Sequence, residues 1–353
     1  MTMWSRNQPP ESVCILRLSA LGDATHVVPV IRTLQDQWPH TRISWIIGTL
    51  EHRLLQNLDG VEFIVFDKRG GWPAVRRLRR SLAGRSFDVL LHMQVAARAN
   101  LLSRLVHARL RLGWDRPRSR DFHQWFIHRS IASKPLQHQV QGFLEFPRAL
   151  GLEVGQPRWD IPVSAAARQW ARQQLGRGPA SLVISPCSSH ARRNWRPEYY
   201  AQVADYAAAE LGLRVVLSGG PGELEKSTGH TIARLMKQPC LNLVGQDTLE
   251  QSKALLAAAD LLISPDSGPA HIASALGTPV IGLYAATWSR RSGPYNSLEW
   301  CVDCFEQAAL KFRKTRPEAL RWGSRIEVAG VMDLITPPAV IAQLERWTRA
   351  QRW

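Results

Sequence analysis

The chain has 353 residues, of which 45% are hydrophobic and 21% charged, so it is long enough for two globular domains. Its formal net charge is +16, which indicates an anionic partner: nucleic acid, a phosphorylated substrate or an anionic membrane surface. The N-terminal stretch MTMWSRNQPPESV lacks the apolar core of a signal peptide, and no run approaches the ~18 apolar residues of a membrane helix. We therefore expect a cytoplasmic protein.

The first half alternates short apolar runs with segments of helical period. Val13–Leu18 is predicted to be a strand, SALGD (Ser19–Asp23) follows it, and a helix is predicted from Ala24 to Gln37. The further predicted elements are the strands Ile43–Ile47, Phe63–Phe66 and Asp88–His92 and the helices Glu51–Leu58 and Pro73–Leu82. This alternation predicts a parallel sheet with helices on both faces.

The second half repeats the alternation. It opens with a predicted strand, Leu182–Ser185, and a predicted helix, Pro197–Leu211, with Gly212 just past its end. The further predicted elements are the strands Arg214–Ser218, Leu241–Val244, Leu261–Ser264 and Val280–Tyr284 and the helices Glu223–Lys237 and Leu249–Ala259.

The two halves join near Val154–Ala166, which is rich in proline, glycine and polar residues. We expect domains at residues 1–160 and 161–353, with the last helix, residues 338–351, packing back toward the first domain. Open α/β sheets bind ligands at the carboxyl ends of their strands. The loops SALGD and SPDSGPAH both lie at such ends, so they are expected to face each other across a central cleft.

The segment SPDSGPAH (Ser264–His271) places small residues where a strand gives way to a helix. The first amides of a helix are unpaired and bind anions. Ser267 offers a hydroxyl, and Gly268 lets a phosphate approach the backbone closely. The pattern predicts a diphosphate site, or else a plain helix cap with nothing bound. Asp266 would repel phosphate, so we expect it to cap the helix or to accept hydrogen bonds from sugar hydroxyls.

Three other charged residues follow predicted strands. Arg193 can pair with a phosphate, or is simply solvated. Glu223, after the turn GGPG, can accept from ribose hydroxyls or favour the helix dipole. Asp23 is the lone carboxylate of SALGD, either a base or a helix cap. Neither the G-x-G-x-x-G nor the G-x-x-x-x-G-K-[ST] pattern occurs, which counts against a nicotinamide enzyme and a P-loop ATPase.

The five cysteines are scattered along the chain. Cys301 and Cys304, in CVDC, have the spacing of zinc ligands but no second pair or nearby histidine. We expect reduced thiols and no metal site; the alternative is a redox pair or half of a metal site.

Several motifs together resemble the family 9 glycosyltransferases, the ADP-heptose–lipopolysaccharide heptosyltransferases. They are SALGDATHVVPVIRTL, FDVLLHMQ, RLGWD, LSGGPGELE and PDSGPAHIASALGTPVIGLY. The resemblance implies an α/β protein of GT-B fold, with two Rossmann-like doubly wound domains. It also implies acceptor binding in the first domain, nucleotide-sugar binding in the second, and an inverting transfer that requires no metal or other cofactor.

The resemblance further implies roles for single residues. Asp23 matches the catalytic base, and adenine is expected near Val244–Leu249. The donor contacts implied are Ser267 and Gly268 to the diphosphate, Asp266 to the heptose, Glu223 to the ribose and Arg193 to phosphate, with His271 supporting the loop. Arg193 stands where members usually carry lysine. The arginine keeps the positive charge but changes the shape of the group that donates hydrogen bonds.

The acceptor implied is Kdo–lipid A or the lipopolysaccharide inner core, which is anionic and held in the membrane. An anionic acceptor would explain the net charge of +16 and the arginine-rich segment at residues 76–85. The acceptor contacts implied are Lys68, Arg69, Arg120 and His138. We expect a cytoplasmic protein bound peripherally to the anionic inner membrane, with no nucleic-acid partner; the opening motif is closer to enzymes that add the first heptose.

Two alternatives remain from the sequence. A GT-B enzyme that uses another nucleotide sugar or a later core acceptor explains the motifs equally well. A non-catalytic basic binding protein explains the charge but not the motifs, and the sequence has no zinc-finger or RNP-like pattern.

Overall fold

The computed structural model describes Trp4 and residues 8–351, so the segment inspected for a signal sequence lies partly outside the described residues. Contacts divide the chain between Pro162 and Val163 into two units. No helix of the described part is long and apolar enough to cross a membrane.

The first unit is a parallel sheet with helices between its strands. Its strands are β1 Ser12–Leu16, β2 Arg42–Gly48, β3 Val61–Phe66, β4 Phe87–His92, β5 Ala108–Gly113 and β6 Arg129–Ser130. Its helices are α1 Leu21–Gln37, α2 Thr49–Leu55, α3 Gly71–Leu82, α4 Ala97–Ser103 and α5 Gln139–Ala149. The strand order within residues 8–162 is β3-β2-β1-β4-β5-β6.

Both faces of this first sheet are buried. Cys14 and Leu16 of β1 belong to a cluster with the inner faces of α3 and α4. The alternate residues Val13 and Ile15 have no exposed surface either, because helices also cover the opposite face. The continuous apolar run of β1 is thus explained by its central position in the sheet.

The second unit has the same construction. Its strands are β7 Ser181–Ile184, β8 Arg214–Leu217, β9 Leu241–Asn242, β10 Leu261–Pro265, β11 Val280–Tyr284 and β12 Val302–Asp303. Its helices are α6 Ala165–Leu175, α7 Pro197–Ala209, α8 Glu223–Leu235, α9 Leu249–Ala258, α10 Gly268–Ala275, α11 Ser289–Ser292, α12 Phe305–Ala308 and α13 Pro337–Ala350. The strand order is β12-β11-β10-β7-β8-β9.

The two sheets have one topology. Counted from the first strand of each unit, both orders are 3-2-1-4-5-6, the order of dinucleotide-binding doubly wound folds. The order reverses between β1 and β4 in the first unit and between β7 and β10 in the second. Ligands of such sheets bind outside the carboxyl ends of the strands at this reversal. The prediction of two doubly wound α/β domains is confirmed.

One local expectation changes, and another is not tested. Helix α1 begins at Leu21 rather than Ala24, so Asp23 lies inside its first turn and Ala20 occupies the cap position. The C-terminal helix α13 packs on α7 and on β11 and β12 of its own unit through Val340, Leu344 and Trp347. Its packing toward the first unit stays a prediction.

Candidate active site

Asp23 lies beyond the carboxyl end of β1, and neighbouring polar groups hold its carboxylate. The Arg17 guanidinium donates to Oδ2, and Gln139 Nε2 donates to Oδ1 at 3.1 Å. His26 Nδ1 is 4.0 Å from Oδ1. The Asp23 side chain keeps 28% of its surface exposed. The carboxylate is therefore fixed in direction and still accessible to a substrate.

Arg17 and Gln139 were not found from the sequence. Arg17 Nη1 donates to the Met93 carbonyl at 2.6 Å, and its guanidinium lies 5.3 Å from the centre of the Phe143 ring. Gln139 is the first residue of α5, 116 positions from Asp23, so no local motif connects them. A signal did exist for Arg17, which is a charged residue at the carboxyl end of an apolar run.

His138 is placed next to this group. It caps α5, where its Nδ1 accepts a hydrogen bond from the Val140 amide at 3.1 Å, and it directly precedes Gln139. His138 thus fixes the beginning of the helix that brings Gln139 to Asp23. An acceptor contact by His138 stays a prediction.

The other predicted acceptor residues differ in their environments. Lys68 Nζ pairs with the buried carboxylate of Glu51 at 3.0 Å. Arg69 and Arg120 are exposed. A side chain at Gly48, the last residue of β2, would collide with the Leu18 carbonyl and with Glu51, and would lie 3.2 Å from Lys68 Cε. The Lys68–Glu51 pair therefore lies close to the residues that precede SALGD.

In the second unit, serine hydroxyls join the two strands at the reversal of the sheet. Ser267 caps α10 by accepting from the Ala270 amide, and its Oγ is 2.7 Å from Ser264 Oγ. Ser264 in turn donates to the Ser185 carbonyl after β7 at 3.0 Å. Gly268 is the first residue of α10. The N-terminus of α10 therefore has a fixed direction beside the loop that follows β7.

Asp266 does not cap this helix, because Ser267 does. Its Oδ2 is 3.6 Å from Arg193 Nη1 and its Oδ1 is 3.5 Å from His271 Nε2. Burial raises the pKa of Asp266, but the hydrogen bond and charge of His271 and the charge of Arg193 outweigh it, so the pKa lies below its usual value. The structure thus brings Asp266 together with His271 and Arg193.

Arg193 is held by a residue that the sequence did not single out, Glu327. Nε and Nη2 of Arg193 donate to Glu327 Oε1 at 2.8 and 2.6 Å. Trp195 anchors the same loop, since its indole is buried and donates to the Ile335 carbonyl at 2.9 Å. The neighbouring Arg192 is exposed. Arg193 thus has one defined orientation beside α10.

Glu223 stands apart from that group. It is exposed at the first position of α8, whereas Glu225, two residues later, accepts from the Gly220 amide at 2.9 Å and closes the glycine-rich turn. Asp247, in the segment predicted to lie near adenine, was also missed. Burial raises its pKa to about 6. The glycine-rich turn after β8 is thus held by the Glu225 carboxylate.

All five cysteines are free thiols, and Cys301 and Cys304 flank β12. Among residues 8–351 and Trp4, no group of three or more His, Cys, Asp or Glu side chains is arranged to hold a metal ion.

The chain is similar to known glycosyltransferases over nearly its whole length. The family model of glycosyltransferase family 9 (heptosyltransferase) matches residues 75–320. The lipopolysaccharide core heptosyltransferase OpsX of Haemophilus influenzae is 37% identical over 340 residues, which cover 96% of this chain and 97% of that relative.

Solved structures share the fold. The glycosyl transferase family 9 protein of Veillonella parvula superposes with a TM-score of 0.79 at 21% identity, covering 99% of each chain. The Escherichia coli heptosyltransferase WaaC, solved with ADP, gives a TM-score of 0.71 at 20% identity, covering 95% of this chain and 99% of that one. The expected GT-B fold is confirmed.

Proposed function

Because this chain belongs to glycosyltransferase family 9, the heptosyltransferases, we propose that it moves a heptose from ADP-heptose to the Kdo and inner-core region of lipid A. The family match and the 37% identity make it a heptosyltransferase of lipopolysaccharide core synthesis. The proposal adds the donor, the acceptor and an inverting mechanism. The observation that carries it is the oriented Arg193 beside the N-terminus of α10, at the reversal of the second sheet.

The donor half of the proposed site suits a nucleoside diphosphate. The first amides of α10 and the side chain of Ser267 would receive the diphosphate oxygens, and Gly268 lets them approach the backbone. Arg193 adds a full positive charge where the leaving ADP gains negative charge. Asp266 and Glu223 would accept hydrogen bonds from the heptose and ribose hydroxyls, and His271 would hold Asp266 in place.

Asp23 would act as the general base. An acceptor hydroxyl attacks the anomeric carbon of the heptose while the bond from that carbon to the ADP oxygen breaks. The hydroxyl proton passes to Asp23, and ADP leaves with the electron pair of the broken bond. A single displacement of this kind inverts the anomeric centre. A positioned base contributes roughly 10²–10⁴ in rate, and Arg17 and Gln139 keep this carboxylate oriented.

Arg193 and the helix amides would supply the charge compensation for which other transferases use a divalent ion. We therefore expect transfer to continue in the presence of EDTA. A rate that fell with the chelator and recovered with added magnesium would contradict this expectation.

Basic residues of the first unit would bind the acidic acceptor. Arg69 and Arg120 present exposed guanidinium groups, and Lys68 and His138 complete the proposed contacts to the acidic acceptor sugar. Because this acceptor is held in the membrane by its lipid, the protein would act at the cytoplasmic face of the inner membrane as a peripheral membrane protein. The alternative is a later core acceptor or another nucleotide sugar on the same architecture.

The test is a transfer assay with paired panels. ADP-heptose, ADP-glucose and UDP-glucose are offered as donors, with Kdo–lipid A and a heptosylated core as acceptors, and products are identified by mass spectrometry. We expect product from ADP-heptose and Kdo–lipid A. Arg193→Gln should lose most of it, whereas Arg192→Gln, its exposed neighbour, should not. Product from a different donor, or only with the heptosylated core, would overturn that part of the proposal.

A further inference from the structure

The first unit exposes an unusual set of large apolar side chains. The four most exposed in the described chain are Trp72 (76%), Trp125 (74%), Phe122 (70%) and Leu101 (65%). Phe122 and Trp125 stack on each other with ring centroids 4.7 Å apart. Concentrated exposed apolar surface on a soluble unit indicates a binding face.

These residues lie on the same side of the unit. Helices α3 and α4 both cover one face of the first sheet, where their inner residues share one core cluster. Their outer residues therefore point away from the sheet on the same side. On α3, Trp72 and Arg76 lie opposite the buried Leu78, and on α4 Leu101 is on the outer face.

Direct contacts connect the parts of this surface. Arg98 Nη1 on α4 donates to the Lys68 carbonyl, just before α3, at 2.8 Å. At the same end of α4, the Ala97 amide donates to Asp121 Oδ2 at 2.9 Å. Asp121 directly precedes Phe122, so the stacked aromatic pair is joined to α4 and, through it, to the segment that leads into Trp72.

Arginine residues surround the apolar side chains. Those exposed here are Arg69, Arg76, Arg77, Arg79, Arg80, Arg98, Arg104, Arg116 and Arg120. Helix α3 contains no acidic residue. The nearby carboxylates of Asp67 and Asp121 accept backbone hydrogen bonds from Arg69 and Ala97. Positive charge is thus in large excess.

We propose that this arginine–tryptophan face, formed by the outer sides of α3 and α4 and the turn at residues 121–126, docks the enzyme on a bilayer that carries anionic lipid headgroups. Tryptophan rings favour the headgroup level of a bilayer, and arginines near it gain from the negative surface potential.

This inference deepens the proposed function, because it explains how a protein without a spanning helix in its described part reaches a lipid-held acceptor. The proposed acceptor residues Lys68 and Arg69 adjoin Trp72 in the chain, and Arg120 adjoins the aromatic turn. Docking through this face would bring those residues to the membrane surface.

The experiment measures flotation of the full chain with vesicles of phosphatidylcholine alone and with vesicles in which roughly a third of the lipid is the anionic phosphatidylglycerol. We expect binding to the anionic vesicles only, weakened by salt. The double variant Arg79→Glu with Arg80→Glu should weaken binding at least about tenfold, since one arginine near such a surface contributes about fivefold. The double variant Trp72→Ser with Trp125→Ser should also weaken binding, because it removes two rings that favour the headgroup level. Matched controls are the exposed Leu310→Ser and the pair Arg168→Glu with Arg172→Glu, which should bind like wild type.

Transfer to a water-soluble Kdo acceptor without acyl chains separates docking from chemistry. Both double variants of the arginine–tryptophan face should transfer heptose to this soluble acceptor at the wild-type rate, which also shows that they fold. The inference is overturned if the variants of the arginine–tryptophan face bind anionic vesicles as tightly as wild type. It is also overturned if they fail with the soluble acceptor, or if they lose single-stranded nucleic-acid binding instead of vesicle binding. If wild type docks but transfers no heptose, the proposed function fails and the docking face stands.

Discussion

At the scale of single residues, the proposed donor half of the site depends on how Arg193 is held. Its guanidinium makes two hydrogen bonds to Glu327 and approaches Asp266 at 3.6 Å. A flexible arginine would lose side-chain entropy when it ordered around a diphosphate. The Glu327 contact removes much of that freedom before the donor binds, which is a positioning role.

Removing this contact gives the first prediction. Glu327→Ala should lower kcat/KM for heptose transfer roughly ten- to a hundredfold, because a hydrogen bond to a charged group contributes about 1.5–3 kcal/mol. Glu327→Gln keeps an acceptor oxygen and should lose less. The exposed Glu306→Gln is the matched control and should leave kcat/KM unchanged. An unchanged kcat/KM in Glu327→Ala would show that Arg193 needs no such support.

Only some residues of the candidate site can be proposed from the sequence alone. Asp23, Ser267 and Asp266 could be proposed from the sequence because each lies in a short motif where a strand gives way to a helix. Glu327 and Gln139 were missed because they contact Arg193 and Asp23 from 134 and 116 residues away. Partners of that kind have no local pattern and are visible only once the chain is folded.

At the scale of elements, Gly48 is the tightest junction near SALGD. It ends β2 at a point where the Leu18 carbonyl, Glu51 and Lys68 leave no room for a Cβ atom. The backbone of Gly48 has φ of −73°, so the glycine is required for space and not for its conformation. Any side chain must displace the end of β2 or the Lys68–Glu51 pair.

Gly48→Ala should therefore destabilise the protein by about 1–3 kcal/mol, the usual effect of overpacking. The measurement is the urea midpoint at constant m-value. Gly155→Ala is the control, because a Cβ at Gly155 meets no atom within 4 Å. Equal midpoints for the two variants would contradict the crowding at Gly48.

A buried pair of histidines links β4 to the turn that carries the aromatic residues. The rings of His92 and His123 are 4.5 Å apart, and His123 bonds to Asn100 and to the Trp114 amide. Burial lowers the pKa of His123 to about 4. Burial also holds the pKa of His92 well below its usual value, and the neighbouring His123 adds to this effect. Both rings are neutral in the folded protein at pH 7.

The stability of the fold should therefore fall in acid. A histidine whose pKa is lowered by folding contributes full stability above its unfolded pKa of 6.5, and this stability is lost as the pH falls from 6.5 to about 4. His123→Gln should reduce the total loss of unfolding free energy between pH 6.5 and about 4 by up to roughly 2–3 kcal/mol, and so flatten its pH dependence. The exposed His107→Gln should keep the wild-type slope; a wild-type slope in His123→Gln would refute the assignment.

The elements themselves were predicted unevenly, for physical reasons. Central strands such as β1 and β10 are continuous apolar runs because both of their faces are buried. Strand β5 was missed because Arg109 and Arg111 interrupt its apolar pattern, and the partly buried Arg111 is accommodated by the Ser103, Val106 and Phe126 carbonyls. Helix α5 was missed because it contains Gly142 and Pro147, which are poor helix formers.

At the scale of the whole molecule, one sheet topology occurs twice, once in each unit. Each sheet reverses its strand order at one point, and a candidate group of charged residues lies beyond the strands there: Asp23 with Arg17 in the first unit, and Arg193 with Asp266 in the second. The first also carries the arginine–tryptophan face. The proposed roles follow this division, with acceptor and membrane on one unit and nucleotide sugar on the other.

The most direct test of the account separates binding from chemistry at Asp23. Heptose transfer from ADP-heptose to Kdo–lipid A and ADP-heptose affinity are measured for wild type, Asp23→Asn and Asp36→Asn, an exposed residue of the same helix. We expect Asp23→Asn to lower turnover by roughly 10²–10⁴ with unchanged donor affinity, and Asp36→Asn to match wild type in both. Wild-type turnover in Asp23→Asn, or a parallel loss of donor affinity, would contradict the role of Asp23 as the base.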